Sequence, residues 1–348
     1  MTAPNAAHNS GQAVFPHRAL EVLMISAGTP LDDIAEAFMD RGAAAVLDHA
    51  PDLVRLDRDQ LAALPSLPYS DAGFSRRLLR EQLNPATSDS SRPLALIRRQ
   101  LDWLTGAAAW QPRSVLHPLC GPGSYAVALR ERGVERYTGI DAGPAVVAHA
   151  GQRLHGTEGF TFLRGDVTDP GLLGPAQPAG THAPGRGFDS LLLSYDALNF
   201  FTPRAAVRML APLVDRLHDG GTAVFDVLLA EDGAPGFDDG RRAQLCPRGG
   251  LFHARPHLLL SEGFALPDGS AVGHRMIAVD THGPRVAGVH HSILMIPTRE
   301  ELTHTLRTAG LRAGLVGRPF HDQNDPNLLR HLVVAHTGRR PGNRRRTQ

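Results

Sequence analysis

The chain contains no lysine; its 36 basic residues are all arginine, and with 35 acidic residues they leave a net charge of +1. A balance this close to neutral, without a basic stripe, excludes the electrostatic footprint of a nucleic-acid binder. The locally basic stretch is the tail "GRRPGNRRRTQ", which reads as a solvated end, a binding arm being the alternative. Cysteine is scarce as well. Cys120 and Cys246 lie far apart with no CxxC or Cys/His spacing, which excludes a disulfide framework and a zinc site and fits a reducing cytoplasm. No run approaches the roughly 20 apolar residues that span a bilayer, and "MTAPNAAHNSGQAVFPHRAL" has no charged segment leading into an apolar one. A soluble, unexported protein without a membrane partner is expected.

What is present is length and pattern. At 348 residues the chain can hold one large α/β domain or two small ones around a substantial core. Residues 1–15 are small and polar and read as disordered. From His17 to Leu64 apolar residues recur three and four apart in "HRALEVLMISAG", "PLDDIAEAFMDRGAAAVLDHA" and "RDQLAALPSL". Two further helical patterns, "DAGFSRRLLREQLN" and "SRPLALIRRQLDWLTGAA", extend this to a helical cap over 16–110.

From Ser114 the rhythm changes to strand and helix in alternation, the pattern of a parallel sheet with helices on both faces. "SVLHPL", "RYTGID", "FTFLRGD", "FDSLLLSYD" and "GGTAVFDVLL" are five strands, separated by the helices "SYAVALRERG" and "PAVVAHAGQRL", a Gly/Pro-rich loop over 170–187, and "PRAAVRMLAPLVDRL". Over 229–297 the turn signals Pro-Asp-Gly and His-Gly-Pro separate strand-like runs, which predicts a β-hairpin insertion. "TREELTHTLRTAGL", "RAGLVGRPF" and "HLVVAHTG" then bring the sheet to about seven strands within a domain over 111–338, followed by the tail 339–348.

Chemistry gathers where these strands end. In "CGPG", Gly121 and Gly123 remove side chains from the turn after the first strand, so that backbone can approach a ligand. Glycines alone do not say which nucleotide. Asp141, twenty residues after Gly121, ends the second strand, where a carboxylate can accept both hydroxyls of a ribose; capping the helix that begins near Pro144 is the alternative. Asp166 in "RGDVTD" ends the third strand, where a carboxylate beside an exposed amide can read adenine; an ordinary turn is the alternative.

The run "CGPG", "GIDAGP", "GDV", "FDSLLLSYDALNFFTP", "LHDGGTAVFDV" and "REELTHTLRTAGL" resembles, in order, spacing and type, the motifs of the class I S-adenosylmethionine-dependent methyltransferases, over about 114–336. The resemblance implies an α/β fold: a seven-stranded Rossmann-like sheet with a helical N-terminal cap and a β-hairpin insertion. It further implies S-adenosylmethionine as cofactor and methyl transfer to a nitrogen or oxygen of a small molecule, in specialised metabolism. Gly121 and Gly123 would flank the methionyl part, Asp141 with Ala142 the ribose, Asp166 with Val167 the adenine, and Ser194 would belong to the same cofactor set. Two positions depart from the family's pattern: His117 stands at the acidic position and Leu119 at the first glycine. His117 also reads as a packed core histidine.

"YSDAGFSRRLLREQL" resembles the family's helical lid, with Tyr69 and Arg77 placed to meet the methionyl carboxylate; a solvated helix face is the alternative for Arg77. In "SYDALNFFTP", Tyr195 offers a ring to a sulfonium, and Asp196 and Asn199 can orient an amine or hydroxyl; Asn199 and Phe200 equally suit packing at a helix entry. Tyr195 and Asn199 are the catalytic candidates. His253, His257, His274, His290 and His291 cluster in the insertion, but a four-residue interval on a strand does not converge two metal ligands. His290 or His291 could act as a base in an acceptor pocket, exposed hairpin histidines being the alternative.

Three other functions stay open. A methyltransferase-like enzyme could cyclise the cofactor's own side chain to azetidine-2-carboxylate, releasing methylthioadenosine, since His117 and Leu119 lie at the methionyl end. A nicotinamide oxidoreductase would use Asp141 for its ribose, although the G-x-G-x-x-G spacing is absent. A non-catalytic module could keep the cofactor fold alone. Acceptor and oligomeric state are not legible.

Overall fold

The computed structural model describes residues 52–84, 91–169, 171–173, 187–232, 240–280, 285–317 and 331–338. The expected disorder over 1–15, the helical patterns between 17 and 51, the His-Gly-Pro turn and the tail 339–348 lie outside the described residues, as does most of the 170–187 loop. The chain divides into two compact units, one within Met1–Leu67, Phe237–Leu266 and Gly273–Ser292, the other within Pro68–Gly236, Pro267–Val272 and Ile293–Gln348. The segment 16–110, read as a single cap, is thus shared between them.

The larger unit begins with two helices, α2 (Ala72–Gln82) and α3 (Leu94–Ala108), following a short α1 (Arg58–Ala62) in the smaller unit. Asp71 starts α2 by accepting a hydrogen bond from the Phe74 amide at 2.6 Å. On α3, Ile97, Gln100, Leu101 and Leu104 form one buried stripe at helical spacing.

Then come β1 (Ser114–Pro118), α4 (Ser124–Arg130), β2 (Arg136–Asp141), α5 (Pro144–Arg153), β3 (Phe160–Arg164), β4 (Phe188–Leu193), α6 (Pro203–Val214) and β5 (Leu217–Val227). α7 (Arg299–Thr308), β10 (Leu311–Gly317) and β11 (His331–Thr337) close the unit. The seven strands run in the order β10-β11-β5-β4-β1-β2-β3, with β5 to β3 parallel and β11 antiparallel to both neighbours. Both faces are covered. Leu191, Leu193, Ala223 and Phe225 pack with α6 and α7, whereas the intervening Leu192 and Val224 join the cluster with α3 and α4.

β5 starts three residues earlier than the Gly-Gly pair suggests. The chain absorbs Gly220 at φ +79 inside the strand, with a register shift against β4 between Phe188 and Ser190.

A four-stranded sheet, β6 (Arg241–Cys246), β7 (His257–Ala265), β8 (Ala271–Asp280) and β9 (Arg285–Met295), forms the hairpin region. Within the smaller unit its core is Leu258, Leu260, Ile277, Val279 and Val286. Buried Arg275 pairs with Glu262 there, and Glu262 also accepts from Arg241, its cross-strand partner. No helix among the described residues is long and apolar enough to cross a membrane.

Candidate functional site

In the larger sheet, β1 lies between β2 and β4, so chain connections leave β1 in one direction and reach β4 in the other. Open α/β sheets bind ligands at the carboxyl edge of such a switch point, because the diverging crossovers leave a crevice there. The turn 119–123 sits at that edge. Leu119, Gly121 and Gly123 take φ values of +57, +58 and +82, so the glycine-type backbone path persists where leucine replaces the first glycine. A left-handed leucine costs about 1–2 kcal/mol. Leu119 offsets this by packing half-buried against the core under α6.

The two glycines have different jobs. A Cβ on Gly121 would meet nothing closer than Gln82 Nε2, at 3.9 Å, so the space above it is open. On Gly123 it would stand 3.1 Å from the Ala150 side chain and 3.7 Å from Phe162. Gly123 is therefore required by the fit of α4 against α5 and β3.

Asp141 accepts from the Gly121 amide through one oxygen (3.0 Å) and from the Gly143 amide through the other (2.9 Å). It is not the helix cap: Gly143 is the N-cap residue of α5, and Ser75 Oγ of α2 accepts from the Ala145 amide at 3.0 Å. Burial pushes the Asp141 carboxyl up, and the amides of Gly143, Gly121 and Ala142 hold it back. Three amides on about four lone-pair sites leave the carboxylate room for a further donor.

Tyr69 lies beside this carboxylate; burial first, and the Asp141 charge second, push its hydroxyl far above the usual range. Arg77 is half-buried on α2 and turns back along its own helix, with Nη1 3.2 Å from the Cβ position of Gly73. Burial lowers its pKa, and Asp71 opposes that shift. Asp166 is exposed and accepts from the Thr168 amide (2.8 Å) and hydroxyl (2.7 Å), making the strand-ending turn that was the alternative reading; Val167 beside it is buried.

His117 is fully buried between Tyr137 and Ser194, with Nδ1 2.7 Å from the Tyr137 hydroxyl and Nε2 3.0 Å from Ser194 Oγ. Burial lowers its pKa to about 3, so it is neutral. Ser194 Oγ is the hydroxyl that meets His117 on this side.

Beyond Ser194, Tyr195 and Asp196 both take left-handed backbone angles, φ +58 and +51. Asp226 on β5 fixes them: its carboxylate accepts from the Tyr195 amide at 3.0 Å and its carbonyl from the Asp196 amide at 3.0 Å. The same carboxylate pairs with buried Arg92 and accepts from Gln100 Nε2 at 3.2 Å. Arg92 also donates to the Tyr125 hydroxyl at 3.2 Å and stands 5.2 Å from the centre of the Tyr195 ring. Within this structure, Arg92 is a cation set against the ring that the sequence offers to a sulfonium.

Asn199 is held by backbone groups. Its Nδ2 donates to the carbonyls of Leu228 (3.0 Å) and Met295 (2.7 Å), and its Oδ1 accepts from the Leu228 amide (3.1 Å). Buried and committed to backbone, it braces strand ends and has no donor left for a nucleophile. The Arg92–Asp226–Gln100–Tyr125 network itself was missed, and its members are too far apart in sequence for spacing to reveal it.

In the smaller unit, His291 Nδ1 lies 3.0 Å from the Pro65 carbonyl, and burial lowers its pKa. His290 stacks on Phe252, and His257 Nδ1 lies 2.9 Å from the Arg255 carbonyl. No group of three metal-ligating side chains forms among the described residues. A cavity of about 260 Å³ beside Val214, His218, Gly310 and Thr337 contains none of the site residues.

No protein-family model matches the chain, and no curated protein matches it by sequence. Solved structures match by shape. The CcbJ methyltransferase from Streptomyces caelestis is 15% identical, with a TM-score of 0.51, over 77% of this chain and 99% of that one. The sugar N-methyltransferase KedS8 from Streptoalloteichus sp. is 20% identical, with a TM-score of 0.46, over 71% and 87%. The amino pentose methyltransferase CalS10 from Micromonospora echinaspora is 19% identical, with a TM-score of 0.44, over 71% and 92%. At 15% identity the likeness to CcbJ shows the fold alone: this chain shares the α/β fold of that methyltransferase around its seven-stranded sheet.

Proposed function

We propose that this chain of methyltransferase fold binds S-adenosylmethionine and transfers its methyl group to a nitrogen or oxygen of a small molecule in specialised metabolism. The observation that carries the reading is the left-handed turn Leu119–Gly123 at the switch point, tied to Asp141 through the Gly121 amide. The residues fit the cofactor: open space over Gly121, remaining acceptor capacity on Asp141 for a ribose hydroxyl, and Asp166 with Val167 in the turn after β3 for the adenine. When bound, the cofactor supplies a methyl group already activated by a sulfonium.

What remains for the protein is placement and exclusion of water, and strong acid/base groups are dispensable. Asp226 fixes the Tyr195–Asp196 turn at the end of β4. Its pairing with Arg92 neutralises both charges, so this part of the edge presents no uncompensated cation to a sulfonium. Neutral His117 likewise adds no positive charge.

A second reading draws on the same His117 and Leu119, the two positions at the methionyl end that depart from the resemblance: intramolecular attack of the cofactor's amino group on its side-chain carbon. Incubation with S-adenosylmethionine and a panel of amine and hydroxyl acceptors, with product analysis, separates the two. Acceptor-dependent S-adenosylhomocysteine supports methyl transfer. Methylthioadenosine formed without an acceptor refutes it in favour of cyclisation, and tight binding without turnover across the panel refutes both.

A further inference from the structure

Helix α2 lies along the carboxyl edge of the large sheet. Near its start, Ser75 Oγ accepts from the Ala145 amide after β2, and its last residue, Gln82, brings Nε2 to 3.9 Å from the Cβ position of Gly121 in the turn after β1. β1 and β2 are neighbours, so the stretch from Ser75 to Gln82 carries α2 from one strand end to the next. The Gln82 amide has a definite orientation there. Its Oε1 is buried within the protein, and its Nε2, the donor end, faces the open space over Gly121.

A donor in that place matters because the turn beneath it has spent its own. The Cys120 amide donates to the Ile140 carbonyl at 3.0 Å, the Gly121 amide to Asp141 at 3.0 Å, and Pro122 has no N–H. Arg77, the cation that the sequence offers to an anion here, turns its Nη1 towards Gly73 and Asp71 at the start of α2. An oxygen laid over Gly121 thus comes within hydrogen-bond reach of Gln82 Nε2. With the nucleoside at Asp141 and the turn after β3, the rest of S-adenosylmethionine extends towards β1 and Gly121. That rest is an amino acid, and its carboxylate is the group that accepts. We propose that Gln82 Nε2 donates a hydrogen bond to this carboxylate, so that the chain recognises the anion with a neutral amide in place of a cation and selects ligands that keep the carboxyl group. The inference rests on the cofactor reading above and names the side chain that meets one end of that ligand.

The test is titration calorimetry of wild type, Gln82→Met and Gln82→Glu with three ligands: S-adenosylhomocysteine, its decarboxylated form, which keeps the amine, and methylthioadenosine, which lacks the amino acid. Wild type binds the decarboxylated form about tenfold or more weakly than S-adenosylhomocysteine, as for loss of one hydrogen bond to a charged group. In Gln82→Met, S-adenosylhomocysteine weakens by about the same factor, while the other two ligands stay within about twofold. Gln82→Glu weakens S-adenosylhomocysteine at least as far, because a carboxylate then faces a carboxylate. Three results each overturn the assignment while the cofactor reading stands: wild type that holds the decarboxylated form as tightly as S-adenosylhomocysteine, Gln82→Met that weakens all three ligands equally or none, and Gln82→Glu that holds S-adenosylhomocysteine as tightly as wild type. Wild type that binds none of the three overturns the cofactor reading and this inference with it. The comparison of ligands on wild type needs no variant, and matching thermal melts show that the two variants are folded.

Discussion

Replacing His117 with glutamine should change how stability depends on pH. The imidazole is fully buried and burial lowers its pKa to about 3, against roughly 6.5 in an unfolded chain. Below pH 6.5 the unfolded state therefore takes up a proton that the folded state refuses. The contribution is complete above about pH 6.5, is lost as pH falls towards 3, and is constant below that. From pH 6.5 to 5 the loss is about 1.5 units times 1.36 kcal/mol, or ~2 kcal/mol.

Glutamine cannot titrate, and other buried histidines such as His274 and His291 are common to both proteins. Urea denaturation at pH 8 and pH 5 should show the stability difference, wild type minus the His117→Gln variant, falling by about 2 kcal/mol in wild type's disfavour. A difference that stays constant would mean that His117 titrates normally. The position would then carry a cation at mildly acid pH, against the electrostatic account of the site.

Other perturbations have separable outcomes. Asp226→Asn leaves the Arg92 guanidinium without its anion in a dry site and should cost about 3–5 kcal/mol in denaturant unfolding, whereas adding Arg92→Met to Asp226→Asn, which keeps an acceptor for the Tyr195 amide, should recover much of that. Asn199→Leu strands three backbone groups at Leu228 and Met295 and should lower stability by roughly 3 kcal/mol, with affinity for S-adenosylhomocysteine unchanged in the folded fraction. Leu119→Gly relieves a left-handed leucine but removes core packing; the terms are about 1–2 and 1.5–3 kcal/mol, so they largely cancel and net stability should fall by no more than about 2 kcal/mol, as read from the unfolding midpoint.

The parallel part of the sheet was legible because each strand is a short apolar run bounded by turn residues; β2 occupies Arg136–Asp141, the span its pattern marks. Asp141 was legible for the same reason, since the position follows from strand length alone. β6 escaped notice. It is an edge strand with mostly exposed residues, so "RRAQLC" carries no apolar alternation. The roles of single polar side chains were harder to read because their partners are distant in sequence: Tyr137 and Ser194 lie 20 and 77 positions from His117, and Asp226 lies 134 from Arg92. Asn199 could be read as a packing residue or as a catalytic one until the carbonyls of Leu228 and Met295 were seen against it. Periodicity reports which face a residue occupies and is silent on which polar group awaits it there.

The most direct measurement is calorimetric titration of wild type, Asp141→Asn and Asp166→Ala with S-adenosylhomocysteine, with NAD alongside. Loss of charge-assisted bonds to the ribose should weaken S-adenosylhomocysteine about 10- to 100-fold in Asp141→Asn and less in Asp166→Ala, whose carboxylate is exposed, while NAD gives no heat with any of the three. Folded variants that bind S-adenosylhomocysteine as tightly as wild type, or a wild type that prefers NAD, would contradict the account.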